Sequence, residues 1–144
     1  MVMGVVCNNL GQELKSLLNK ADEIWVAVAL ISEYGLNFIQ KNSPKGIKQN
    51  YLLGIDLPTD PKALIKLSNQ QTLSDVNVGM YTEMQFYHPK VYIVRTRKLF
   101  TAFVGSANCT KRGLSSNIEM SVLITNQEEC KRLLDWYEIL NANP

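Results

Sequence analysis

Leu10, Leu14, Leu17 and Leu18 recur at helical spacing and predict an amphipathic helix over about residues 9–20. The pattern then changes to Ile24-Trp25-Val26-Ala27-Val28-Ala29-Leu30, a continuous apolar run that fits a strand buried on both faces. Ser32 can cap a second helix through about Gln40, which stops at the turn Asn42-Ser43-Pro44-Lys45-Gly46. Tyr51 to Ile55 reads as another buried strand. Thr59-Asp60-Pro61 supplies a capping side chain and a first-turn proline for a helix through Ala63 to Leu67. Val76 to Tyr81 reads as a strand again. This alternation predicts an α/β architecture with a largely parallel sheet.

The rhythm shifts after residue 90. Val91 to Val94 and Leu99 to Val104 are strands joined by Arg95-Thr96-Arg97-Lys98, a hairpin with a basic tip. Ile118 to Thr125 is one more strand, and Cys130, Leu133, Leu134, Tyr137 and Leu140 share one face of a closing helix. The expected fold is a three-layer α-β-α sandwich with a mixed, mostly parallel sheet. At 144 residues it makes one domain over positions 1–144. The final Asn-Ala-Asn-Pro carries no terminal signal, so a whole small protein and a domain of a longer chain both stay open.

Composition narrows the chemistry. A hydrophobic fraction of 46% with 19% charged residues is ordinary for a soluble domain, and a net charge of +2 permits a basic patch without demanding one. The three cysteines, Cys7, Cys109 and Cys130, are widely spaced and are expected to be free thiols in a reducing cytoplasm. With one histidine in the chain, a Cys/His zinc site is poorly supported, and no metal or cofactor is expected. The apolar start, Met1 to Cys7, is short and has no basic residue before it, which disfavours a signal peptide. No apolar run approaches the roughly 20 residues of a membrane span.

The single histidine carries the most information. In Tyr87-His88-Pro89-Lys90, His88 and Lys90 are two apart, so on a strand they project side by side. An imidazole beside an ammonium suits attack on a phosphate: the cation neutralises non-bridging oxygens while the ring acts as nucleophile. Gly105-Ser106-Ala107-Asn108 follows the hairpin, offering a hydroxyl, an amide and closely approachable backbone for the same phosphate. Glu119 can orient the far nitrogen of His88, as the acid of a triad does. Each element alone is more often a turn or a solvated surface; their joint pattern is what points to a site. Arg95, Arg97 and Lys98, with Lys111 and Arg112, can form a rim along a nucleic-acid backbone, or simply keep hairpin tips soluble. Trp136 lies off the apolar face of the last helix, as a half-exposed core residue or a partner contact. Cys109 adjoins the site but lacks a second histidine to activate it.

The stretch from His88 to Ile93, then Phe103 to Leu114, then Asn117-Ile118-Glu119, resembles the signature of the phospholipase D superfamily. It is most similar to the single-motif nuclease branch, which includes metal-independent restriction endonucleases and helicase-attached nuclease domains. The resemblance implies that His88 is the nucleophile and Lys90 binds phosphate. Ser106 and Asn108 would complete the phosphate site, and Glu119 would support His88. It also implies a homodimer, because two such motifs meet in one site and this chain has one. The expected activity is metal-independent hydrolysis of nucleic-acid phosphodiester bonds, DNA more than RNA, with no membrane partner. Sequence specificity would come from a further domain or subunit. Rival readings are a phospholipid phosphodiesterase or transferase of the same superfamily, and an inactive nucleic-acid-binding module. One departure stands out: Arg95 occupies the position, five after the lysine, where the family often has aspartate.

Overall fold

The computed structural model describes residues 3–142. Strands β1 (Met3–Cys7), β2 (Glu23–Val28), β3 (Lys48–Gly54), β4 (Val76–Tyr81), β5 (Lys90–Thr96), β6 (Leu99–Gly105) and β7 (Met120–Ile124) form one sheet in the order β1-β7-β6-β5-β2-β3-β4. Helices α1 (Leu10–Leu18), α2 (Glu33–Lys41) and α3 (Pro61–Leu73) cover one face, and α4 (Gln127–Ala142) covers the other.

The period-two geometry of strands divides the core. In β2, Ile24, Val26 and Val28 join the cluster beneath Leu10, Leu14, Leu36, Ile39 and Leu67. Trp25 and Ala27, on the opposite face, pack with Cys130 and Tyr137 of α4. β5 divides likewise, with Tyr92 and Val94 on one side and Val91 and Ile93 on the other. The three-layer α-β-α architecture and the mixed sheet are as expected.

The predominance of parallel pairing is not. Only β2–β3 and β3–β4 are parallel; β1–β7, β7–β6, β6–β5 and β5–β2 are antiparallel. The long connection from β4 to β5 leads the chain back beside β2 in the reverse sense, and hairpin-like links then keep the direction alternating. The apolar N-terminal stretch contributes β1, an edge strand paired with β7 from Met3↔Ile124 to Cys7↔Met120. A five-residue pattern with nothing polar to alternate against gave no strand signal of its own. A single π-helical turn, Arg112–Ser116, was also not anticipated.

Helix starts follow their capping residues. Ser32 Oγ accepts the Gly35 N–H at 3.1 Å, and Asp60 accepts the Lys62 N–H at 3.0 Å with Pro61 at the first helical position. No helix among the described residues is long and apolar enough to cross a membrane.

Candidate active site

The C-terminal ends of β1, β2, β3, β4 and β6 meet the N-terminal ends of β5 and β7 along one edge of the sheet. His88 and Lys90 enter this edge from β5, Ser106 and Asn108 from the end of β6, and Glu119 just before β7. Residues up to about thirty positions apart in the chain are thus brought together by strand direction.

Tyr87 anchors the segment that carries His88. Its hydroxyl donates to the Leu52 carbonyl at 2.7 Å, its ring stacks on Tyr81 at 5.1 Å, and its N–H donates to Asp56 Oδ2 at 3.3 Å. The His88 ring is exposed and stacks on exposed Phe86, centroid to centroid 5.3 Å. Lys90 is only 8% exposed. Its Nζ lies 2.7 Å from His88 Nδ1 and 2.9 Å from Nε2, and donates to the His88 carbonyl at 3.2 Å. An ammonium only donates, so it bonds whichever ring nitrogen carries a lone pair. Burial holds the Lys90 ammonium below its ordinary pKa, with the Glu119 charge partly opposing.

The Gly105–Asn108 segment is fixed by Tyr92, whose buried hydroxyl donates to the Ala107 carbonyl at 2.8 Å. Gly105 is required by packing: a Cβ there would stand 2.2 Å from the Met120 carbonyl oxygen. Its missing side chain permits the close pairing of β6 with β7. Ser106 Oγ donates to Glu119 Oε1 at 2.6 Å and accepts the Met120 N–H at 3.0 Å. Asn108 Oδ1 is buried without a hydrogen-bond partner.

Two expectations are corrected. Glu119 makes no hydrogen bond to His88; it accepts from Ser106 and, through Oε2, from Asn117 Nδ2 at 3.1 Å, while its N–H donates to Asn8 Oδ1 at 3.0 Å. The carboxylate thus orders the Ser106 side of the site and faces Lys90 only through space. Arg95 and Arg97 do not join His88 at all. Arg95 lies near the opposite end of β5, five residues beyond Lys90 and roughly 16 Å away at ~3.3 Å per residue, and Arg97 lies in the turn that follows the strand. Arg95 pairs with Asp22 at 3.8 Å and Glu23 at 3.6 Å, and donates to the Arg97 carbonyl at 2.8 Å. The arginine in place of aspartate is thereby a brace between β5 and the start of β2. Lys111 and Arg112 stay exposed on the loop and π-helical turn that follow Asn108. Trp136 is half-buried against the α4-side core, and burial pushes the Cys109 thiol up to about 12, which leaves it protonated near neutral pH.

Tyr87, Tyr92 and Phe86 escaped the sequence reading. The run Phe86-Tyr87-His88 was the available signal, since two aromatics directly before the one histidine have reason to hold it.

A family model described as "Cardiolipin synthase, PLD-like domain" matches residues 14–140. The chain belongs to the phospholipase D-like family. Among solved structures, this phospholipase D-like chain is similar to Nuc from Salmonella typhimurium, a phospholipase D family member, at 18% identity and TM-score 0.74, covering 96% of this chain and 93% of that one. It is similar to NucT from Helicobacter pylori at 17% identity and TM-score 0.71, covering 96% and 94%. Polyphosphate kinase from Porphyromonas gingivalis matches at 13% identity and TM-score 0.69, covering 99% of this chain and 26% of that one. No curated protein matches the chain significantly. These likenesses support the phospholipase D-like fold.

Proposed function

We propose that this phospholipase D-like domain is a phosphodiesterase that cleaves nucleic acid, DNA in preference to RNA, through a phosphohistidine at a site shared by two copies of the chain. The observation that carries this reading is the exposed His88 ring with the Lys90 ammonium 2.7 Å away at an open sheet edge. The ring is free to meet a phosphate, and the buried cation is already beside the place where the phosphate must sit.

One His88 attacks phosphorus, forming a P–N bond as the P–O bond to the leaving group breaks. The second copy's His88 gives its proton to the leaving oxygen, then takes one from water as that water attacks phosphorus and releases the first ring. Lys90 and Asn108 from each copy hold the non-bridging oxygens. Lys111 and Arg112 meet neighbouring phosphates. Ile118 and Met120, exposed at the same edge, are apolar surface for the second copy to cover. Among the described residues no group of three or more His, Cys, Asp or Glu is placed to hold a metal ion, and the mechanism uses none. The likeness to the structures named Nuc and NucT supports the nucleic-acid reading.

Hydrolysis of an oligonucleotide in excess EDTA is the test. Turnover is expected to persist, with an acid-labile oligonucleotide fragment trapped on His88 through its phosphate. Loss of activity in EDTA with recovery in Mg²⁺ would overturn the reading. A phospholipid substrate is the second reading, favoured by the description of the matching family, and release of headgroup from vesicles without cleavage of oligonucleotides would select it.

A further inference from the structure

A cavity of about 220 Å³ opens between the first turns of α1 and α2 and the π-helical turn. Phe38, Leu114 and the ring of Tyr34 line it together with Gly11, the polar Asn9, Gln12 and Ser115, and the cationic Lys15. It is smaller than the roughly 300–1,000 Å³ of drug-sized pockets, so its occupant is one compact group. Tyr34 is 45% exposed, and Lys111 Nζ lies 5.7 Å from the centre of its ring.

The cavity is joined to the catalytic edge on two sides. Gly35, next to Tyr34, packs so closely on the chain after Asn108 that a Cβ would stand 1.9 Å from the Cys109 carbonyl oxygen. Thr110 Oγ1 accepts the Gly113 N–H at 3.0 Å, tying the loop after Asn108 to the turn that carries Leu114 and Ser115. On the other side, Asn9 follows Asn8, whose N–H donates to the Glu119 carbonyl at 2.8 Å and whose side chain accepts the Glu119 N–H. A group in the cavity is therefore positioned by the same segments that position Asn108 and Glu119.

We infer that this cavity takes one unpaired nucleobase of the strand being cleaved, next to the scissile phosphate. The inference rests on the nucleic-acid reading above and narrows it to single-stranded or locally opened substrate. The apolar part of the lining suits that occupant, and Lys15 can meet the charge of the backbone that carries it. An aromatic ring and two apolar side chains suit the faces and edge of a flat ring. Amide and hydroxyl groups at the rim suit its hydrogen-bonding edge. Lys111, over the Tyr34 ring, and the exposed Arg112 next to it in the chain match the negative charge of the backbone that carries the base. A duplex cannot present a base here without opening.

Two oligonucleotides test this, one normal and one with a single abasic position beside the cleaved bond. Binding is measured in the His88→Ala background, which leaves the strand uncut, and cleavage in the wild type, with bis(p-nitrophenyl) phosphate as a base-free substrate. The normal strand is expected to bind about tenfold more tightly than the abasic one. Tyr34→Ala should erase that difference and Tyr34→Phe should keep it, while hydrolysis of bis(p-nitrophenyl) phosphate stays the same in both. Equal binding of the two strands, or an equal loss on both in Tyr34→Ala, would overturn the inference. If wild type hydrolyses nothing yet still prefers the base-bearing strand in a Tyr34-dependent way, the cavity inference holds and the enzymatic reading fails.

Discussion

At the scale of single residues, Lys90 sets chemistry against stability. Its ammonium is buried and held below the ordinary value of 10.5, so folding disfavours its charged form. Below the lowered pKa both folded and unfolded chains carry the proton and the cost is fully present. Between that pKa and 10.5 the unfolded chain binds more protons, so stability rises with pH until the cost is gone. Lys90→Met removes the charge at similar length. It is expected to lower turnover about 10²- to 10³-fold while leaving the Tm near neutral pH unchanged or higher, with the Tm difference from wild type shrinking as pH rises towards 10.5. A Tm difference independent of pH would refute the account. His88→Ala is expected to reduce turnover at least ~10³-fold while oligonucleotide affinity changes little, read by single-turnover kinetics and fluorescence anisotropy. Glu119 and Ser106 act as a pair through their 2.6 Å hydrogen bond. Glu119→Gln and Ser106→Ala should therefore be non-additive in kcat, the double variant resembling the worse single one; additive losses would separate their roles.

At the scale of elements, the hairpin β5–β6 connects two regions with different duties. Its N-terminal end bears His88 and Lys90; its tip bears the Arg95 brace to Asp22 and Glu23. With a side chain about one-third exposed, that brace contributes little, at most ~1 kcal/mol. Arg95→Ala is expected to lower the Tm by a few degrees, more at low salt, and to leave kcat/KM within about twofold. A tenfold fall in kcat/KM with nucleic acid would restore the hairpin tip to the binding surface. The sequence reading grouped all basic residues near the motif into one rim because sequence distance was the only distance available. Strand direction separates Arg95 and Arg97 from Lys111 and Arg112.

At the scale of the whole molecule, the proposed mechanism needs acid–base chemistry on both sides of the phosphate, and with one histidine per chain it calls for a second copy. Light scattering is expected to give a two-fold dimer whose interface buries at least ~1,000 Å². Mixed dimers of wild-type and His88→Ala chains should be inactive, since each shared site then holds one histidine where two are needed. Retention of about half the wild-type rate would assign each chain its own site.

The residue pattern by itself determined the alternation of helices and strands and the capping at Ser32 and Asp60, and it singled out His88, Lys90, Ser106 and Asn108 as candidates for the chemistry. These follow from local physics, namely periodicity, capping and the reactivity of side chains two positions apart. Only the tertiary structure decided the antiparallel half of the sheet, the place of β1, and the partner of Glu119. Strand neighbours are chosen by burial of whole faces, which no short window contains. The Ser106–Glu119 contact exists because β6 and β7 pair from Ala102↔Ile124 to Gly105↔Ser121, which puts residue 106 opposite residue 120 and within reach of its neighbour Glu119. The Tyr34 cavity likewise exists because Gly35 and Gly11 let α2 and α1 approach the chain after Asn108, a closeness set by packing across residues far apart in sequence.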